Sequence, residues 1–527
     1  MRLAIIVSHP IQYYSPWFRH LAAAMGCAPR QEARGERREV GGEGGTALQP
    51  VGLTGRREVG VLDSEQNALR VFYLWDFGVT EKTDKGFGKT VKWDVDLLEG
   101  YDHEFVPNVS RDRGTHWFGG LNNPELLQRV KAFAPDAVLQ FGYNCKSLVN
   151  FDLRWNAKCA PLLFRGDSHL LGESVEHGAW SMELKKWVRS VGLRLLFKRF
   201  ACFLAVGKAN ADYFRAHGVP ESKIVRCPHV VDNEFFRREP EETRGLKDQE
   251  TKGLKDQGLK GLRDWESRGM REELGIPEDE LVFLFAGKLE EKKQPMQLLE
   301  AFLAADLPKA TLLFVGSGEL ESALKERVFN RGQVTGGGRQ TEEEKPQRGA
   351  RGSEDEREQG TGARGQAEAG SQRSDDCKLN TANSRGNVVF LEFQNQSRMP
   401  LVYRTGDVLV LPSKGRYETW GLAVNEAACC GLPAIVSSHV GCGPDLIEEG
   451  VTGWVFAAGN IEDLRRCLCE AASNRRRLRQ MGSTLQRRVL GDFSYDSAAR
   501  ALFDALSPRT ATNTCQTPCE ESSAPRW

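Results

Sequence analysis

The chain has 527 residues, with 72 Lys and Arg against 72 Asp and Glu, so its formal net charge is zero. That balance argues against a general nucleic-acid binder, which carries a basic excess. The length argues for at least two domains, because single cores rarely grow past about 250–300 residues, and no apolar run approaches the roughly 20 residues that a membrane helix needs.

In chain order, the apolar stretch Leu3–Val7 is too short for a secretory-signal core and reads as a first buried strand. A cytoplasmic, reducing setting with free thiols is therefore expected, and the sequons at Asn108 and Asn395 become chance matches. The 13 cysteines lack paired Cys-x-x-Cys spacing, which argues against a zinc site. Further strands are expected at Leu69–Leu74, Ala137–Phe141, Pro161–Phe164 and Ala201–Val206, with an amphipathic helix at Pro124–Phe133. A second block carries strands at Leu281–Ala286, Ala310–Val315, Val388–Leu391, Val408–Leu411 and Ala434–Val436. Helices are expected there at Met296–Ala305, Leu320–Phe329, Leu422–Cys430 and Ile461–Ser473. Continuous apolar strands alternating with helices predict parallel sheets covered on both faces. Two such blocks in tandem predict an α/β protein of two Rossmann-like, doubly wound domains facing a central cleft, with ligands beyond the carboxyl ends of the strands.

Four segments break the pattern. Residues 28–66 are rich in Gly, Arg and Glu, 240–268 hold a slipped Gly-Leu-Lys-Asp-Gln repeat, and 330–386 and 509–527 have few large apolar side chains. Such stretches bury too little surface to offset ordering entropy, and disordered insertions and a disordered tail are expected.

The densest chemistry lies at Ser413-Lys-Gly-Arg-Tyr-Glu418-Thr-Trp-Gly-Leu-Ala-Val-Asn-Glu426. It follows a strand and opens a helix. A carboxylate at such a junction can accept hydrogen bonds from sugar hydroxyls, and the amides of Thr419, Trp420, Gly421 and Leu422 offer an anion or hydroxyl site. Cys430-Gly-Leu-Pro-Ala-Ile-Val, the loop Val440-Gly-Cys-Gly-Pro-Asp445 and Gly450-Val-Thr-Gly-Trp follow. This whole stretch, 408–456, resembles the retaining GT-B glycosyltransferases of family 4, glycosyl transferases group 1, whose E-x7-E signature matches Glu418 and Glu426. The resemblance implies that Glu418 contacts the donor hexose and Glu426 the nucleotide ribose. It also pairs Gly287-Lys288-Leu with a cation five residues later, Lys293, as the charges facing the donor diphosphate. Two cations in a strand-to-helix loop suit a diphosphate leaving group. Lys288 stands where the family more often has Arg, keeping the charge without the bidentate fork.

The glycine turn Gly316-Ser317-Gly318 and the segment around Phe393 would flank the nucleotide. On the first block, His169 is expected near the donor sugar, and His9, Arg165 and Asp167 on the acceptor side. Asn210, Tyr213 and Pro228-His-Val-Val-Asp232-Asn also resemble the family, the last near the domain junction. The resemblance thus implies an N-terminal acceptor-side domain over 1–275, a nucleotide-sugar domain over 276–490, and a helix at 491–508 crossing back to the N-terminal domain.

The expected activity is hexosyl transfer from a UDP- or GDP-sugar to a glycan, lipid-linked or small-molecule acceptor, retaining and metal-independent, with no cofactor. Two alternatives stay open: a metal-dependent transferase using the Asp94-Val-Asp96 triplet, and a non-catalytic nucleotide- or sugar-binding module. An oxidoreductase is disfavoured by the lack of a Gly-x-Gly-x-x-Gly turn. Residues 184–200 hold six Lys or Arg interleaved with Trp, Val, Leu and Phe, and peripheral contact with an anionic membrane is the functional reading of that helix.

Overall fold

A computed structural model describes residues 1–27, 67–79, 82–84, 89–91, 93–172, 180–238, 269–335 and 387–507. The expected insertions at 28–66 and 240–268, and the tail 509–527, lie outside the described residues. So does most of 330–386, but its first residues belong to the helix Glu321–Thr335, which continues past the end expected at Phe329.

Strand β1 (Arg2–Val7) is apolar at consecutive positions because both of its faces are covered. Leu3, Ile5 and Val7 enter one core and Ala4 and Ile6 another. It is followed by β2 (Ala68–Tyr73), a short antiparallel pair β3 (Lys82–Asp84) and β4 (Lys89–Val91), then β5 (Asp102–Phe105), β6 (Ala137–Phe141), β7 (Leu162–Gly166), β8 (Cys202–Ala205) and β9 (Ile224–Arg226). Apart from β3 and β4 these form one parallel sheet in the order β5-β2-β1-β6-β7-β8-β9. The second sheet is parallel as well, in the order β12-β11-β10-β13-β14-β15. Its strands are β10 (Leu281–Ala286), β11 (Ala310–Val315), β12 (Asn387–Leu391), β13 (Val408–Leu411), β14 (Ala434–Ser437) and β15 (Gly453–Phe456).

Within the two parallel sheets, β5 carries no continuous apolar run, β9 (Ile-Val-Arg) has only two apolar residues, and β15 (Gly-Trp-Val-Phe) has three after a glycine. Edge strand β5 reads Asp-His-Glu-Phe, and its acids are held by neighbours: Arg70 pairs with Asp102 at 2.8 Å and also reaches Glu104. Strands β9 and β15 lie at the opposite edges of the two sheets.

One core joins the two sheets. It contains Leu3, Ile5 and Val7 of β1, Val282 and Leu284 of β10, and Ala498, Ala499 and Leu502 of the last helix. That helix, Tyr495–Leu506, starts in a capping box between Ser494 and Ser497. It packs on the helix Ser15–Ala24 and on β8 and β9 of the first sheet. His20 meets Asp496 at 3.1 Å, and the Cys227 thiol reaches the Ala498 carbonyl.

Candidate active site

The carboxyl ends of both sheets open onto the space between them, and the loops there carry the polar side chains. The first support is a ledge of three loops on the second sheet. Gly287 N–H donates to the Val315 carbonyl, Leu289 N–H to Ser317 and Gly316 N–H to Leu391, each at 3.0 Å. Gly316 has a φ of 137°, and a Cβ there would stand 2.0 Å from the Gly287 carbonyl oxygen. Only glycine lets these backbones come so close. Lys288 follows on this ledge, half-buried, and Ser317 is buried beside it with no hydrogen-bond partner for its hydroxyl.

The second support is the turn after β13. Lys293, at the end of the loop that follows β10, makes an ion pair with a Glu418 carboxylate oxygen, and the Ser413 hydroxyl donates to the same oxygen at 2.8 Å. Both charged side chains are largely buried, which strengthens their attraction relative to a surface pair. The chain then runs through Thr419 and Trp420 into Gly421, whose φ of 98° starts the helix Leu422–Cys429 without a side-chain cap. The amides at that helix start therefore lack a capping side chain.

The N-terminal domain closes onto this turn. His169, 3% exposed, donates from Nε2 to the Glu418 carbonyl at 3.1 Å, because a carbonyl can only accept. Its Nδ1 is buried with no hydrogen-bond partner. The Thr419 hydroxyl donates to Asp167 at 2.6 Å. Gly441 makes room behind the turn, since a Cβ there would lie 1.9 Å from the Thr419 carbonyl oxygen. Lower in the cleft, Lys208 N–H donates to Asp445 at 2.8 Å and Lys208 Nζ to the Pro444 carbonyl at 2.9 Å. At the far lip the Asp94 carboxylate accepts from the Ser397 amide and hydroxyl, and Trp93 lies against Phe393 with ring centroids 6.4 Å apart.

Glu426 lies one turn into the helix and accepts from the Tyr403 hydroxyl at 2.6 Å. Burial pushes its carboxyl up to about 7, against the hydrogen bonds from Tyr403 and Gln396 that pull it down. Tyr13 joins the cluster from the loop after β1. Burial first, and then the charges of Asp167, Glu426 and Glu418, raise its phenol far above the usual value. Tyr13 therefore stays a neutral hydroxyl among carboxylates. By pattern Tyr13 and Tyr403 are ordinary loop and core residues, and Ser413 is only the first residue of the Glu418 stretch; their roles beside Glu418 and Glu426 come from the fold.

The side chains of several expected site residues are held by internal contacts. Trp420 is 3% exposed, donates to Asn425 at 2.8 Å, and packs on His229 and Phe493. Its side chain belongs to the core joining the domains, while its backbone stays in the turn that leads into the helix Leu422–Cys429. Arg165 is 1% exposed and donates to the carbonyls of Cys227 and Pro228, with Trp17 stacked on its guanidinium. It ties β7 to the 227–228 segment from inside and does not reach the acceptor side. His9 is held edge-on by Trp75 and Phe77, with Ser8 at 2.9 Å from its Nδ1; burial lowers its pKa to about 4 and keeps it neutral. Asp94 and Asp96 diverge, the second accepting from the Leu98 and Glu99 amides. Among the described residues no three His, Cys, Asp or Glu side chains gather as a metal-holding group.

Comparison with known proteins adds three findings. Residues 267–347 and 369–488 match the family model described as glycosyl transferases group 1. Sulfoquinovosyl transferase SQD2 of Arabidopsis thaliana is 47% identical over 79 residues, 14% of this chain and 15% of that protein. D-inositol 3-phosphate glycosyltransferase of Rhodococcus opacus is 30% identical over 26% of this chain and 30% of its own length. The chain thus spans a third or less of these relatives. Two solved structures align along almost the whole chain. HepE of Anabaena, in complex with UDP and glucose, has a TM-score of 0.54 at 15% identity, covering 96% of this chain and 99% of its own. Sucrose-phosphate synthase of Thermosynechococcus elongatus has 0.55 at 15%, covering 96% and 98%. At that identity the likeness is one of fold: two parallel Rossmann-like sheets in the GT-B arrangement.

Proposed function

Because residues 267–347 and 369–488 match the glycosyl transferases group 1 model and the chain has a GT-B fold, we propose that it is a glycosyltransferase. It moves a hexosyl group from a nucleoside-diphosphate sugar to a hydroxyl acceptor on a glycan, a lipid-linked sugar or a small molecule. The observation that carries this reading is the meeting of Lys293, Glu418, Asp167 and His169 at one turn between the two sheets. In support, a structure of the same fold holds UDP and glucose.

In the proposed reaction the donor diphosphate lies against Lys288, Lys293 and the amides of Gly316 to Gly318. A phosphate there competes with Glu418 for the Lys293 ammonium, which frees carboxylate oxygens of Glu418 to accept from hexose hydroxyls. Glu426 accepts from the ribose. The bond from the anomeric carbon to the diphosphate oxygen breaks as the bond to the acceptor oxygen forms, and the acceptor proton passes to the departing diphosphate. The fixed cations hold the charge that develops on the leaving oxygen, so no metal is required. The acceptor enters on the leaving-group face and configuration is retained. His169 and Asp167 hold the turn that presents the sugar, and closing of the domains keeps water from the donor.

Thermal unfolding in the presence of UDP, GDP or ADP, with and without EDTA and manganese, tests the donor site. One nucleoside diphosphate should raise the melting temperature by mass action, equally in EDTA. A shift that requires manganese would overturn the metal-independent reading, and no shift with any of the three would overturn the donor site.

A further inference from the structure

The helix Trp180–Phe197 has more apolar surface than its place in the fold uses. A helix covering a sheet needs one apolar stripe. Leu193 and Phe197 supply it, and Phe197 packs among Phe164, Phe203 and Phe214. A second stripe, at spacing i, i+4, i+8, faces outward: Trp187 is 64% exposed, Val191 37% and Leu195 60%. Leu195 also lines a cavity of about 530 Å³ with Leu196, Phe118, Val149 and Leu153. Leu153 and Phe118 are themselves 63% and 53% exposed. Three separate elements thus turn apolar side chains to one face, which single surface leucines do not do. Arg194 and Lys198 flank the stripe one turn apart and are exposed, as is Arg154 beside Leu153. Residues 187–200 contain no Asp or Glu. Tyr143, in the loop after β6, forms part of the cavity wall, so the face adjoins the carboxyl end of the first sheet.

We infer that this face docks on an anionic phospholipid bilayer, with Trp187, Val191 and Leu195 entering the headgroup–acyl boundary and Arg194, Lys198 and Arg154 meeting lipid phosphates. The pairing of apolar and cationic terms on one exposed surface fits a charged interface. Other proteins offer apolar patches too, but the uniform positive charge here selects an anionic partner. The proposal extends the transferase reading by placing the acceptor-side domain against a membrane, and it stands apart from the donor site.

The test is sedimentation of the full-length chain with vesicles of phosphatidylcholine alone or mixed with phosphatidylglycerol, at low and high salt. Binding is expected to the mixed vesicles only, and to weaken with salt. Arg194→Ala with Lys198→Ala should lower partitioning about thirtyfold. Trp187→Ser with Leu195→Ser should lower it more than about tenfold. Both double variants change exposed side chains, and both should keep the wild-type melting temperature and the shift induced by the matching nucleoside diphosphate. Loss of vesicle binding with that shift intact supports the surface. Vesicle binding by a wild-type chain that none of UDP, GDP and ADP stabilises would refute the donor site alone. No binding to anionic vesicles, or equal binding to neutral ones by wild type and variants, overturns the proposal. So does a concentration-dependent dimer abolished by Leu195→Ser, which would assign the face to a second copy.

Discussion

At the scale of single residues, the Lys293–Glu418 pair decides what the site can do. Removing one partner leaves the other as an uncompensated, largely buried charge. Glu418→Ala should therefore lower transfer about a hundredfold or more, while the thermal shift with the matching nucleoside diphosphate persists, because its phosphate contacts lie on Lys288 and Lys293. Full turnover in that variant would sink the assignment. Glu426 makes a prediction in pH. Its carboxyl sits near 7 in the fold against about 4.5 when unfolded. Between those values the folded chain keeps a proton that the unfolded chain gives up, so this group's contribution to stability is lost as pH rises from about 4.5 to 7. Glu426→Gln should flatten that part of the stability profile and stabilise the protein at pH 8 by up to about 3 kcal/mol, which chemical denaturation at several pH values would measure. The spacing of Glu418 and Glu426 is plain in the sequence because both fall within one turn and helix. Tyr13, four hundred residues earlier, cannot be read as their neighbour without the fold, and Arg165 looks like an acceptor-side residue only until its side chain is seen to turn inward.

At the scale of elements, strands buried on both faces are legible, and of the four edge strands only β12, with its run Val388–Leu391, is legible as well. Val408–Leu411 and Ala310–Val315 were readable as unbroken apolar runs, since each residue meets one core or another. Asp102–Phe105 carries polar residues that are satisfied by Arg70 and Arg129, so its pattern resembles a loop. The helix beginning at Glu321 outlasts its apolar signal because local hydrogen bonding extends it after the packing residues Leu324 and Val328 are placed. The glycine ledge gives the test at this scale. Gly316→Ala puts a methyl group on the Gly287 carbonyl and an alanine at φ 137°. It should cost about 1–3 kcal/mol of stability and abolish nucleoside-diphosphate stabilisation, since the loops after β10 and β11 must separate. Calorimetry with and without the nucleotide reads both effects.

At the scale of the whole molecule, one core passes through both sheets, so the two halves share stabilising contacts. Calorimetry should show a single main transition instead of two, and a chain ending at Asp492 should melt lower than the full chain because Ala498, Ala499 and Leu502 no longer cover β8 and β9. Two resolved transitions in the full chain would contradict the shared core. The same architecture limits recombination between relatives. The helix Tyr495–Leu506 is last in sequence but rests on the first sheet, through His20, Cys227 and the helix Ser15–Ala24. A hybrid made by a single splice between the halves would join this helix to a foreign surface. Grafting a new acceptor half therefore takes two splices, one near the middle of the chain and one just before Ser494, so that the terminal helix travels with the sheet it covers.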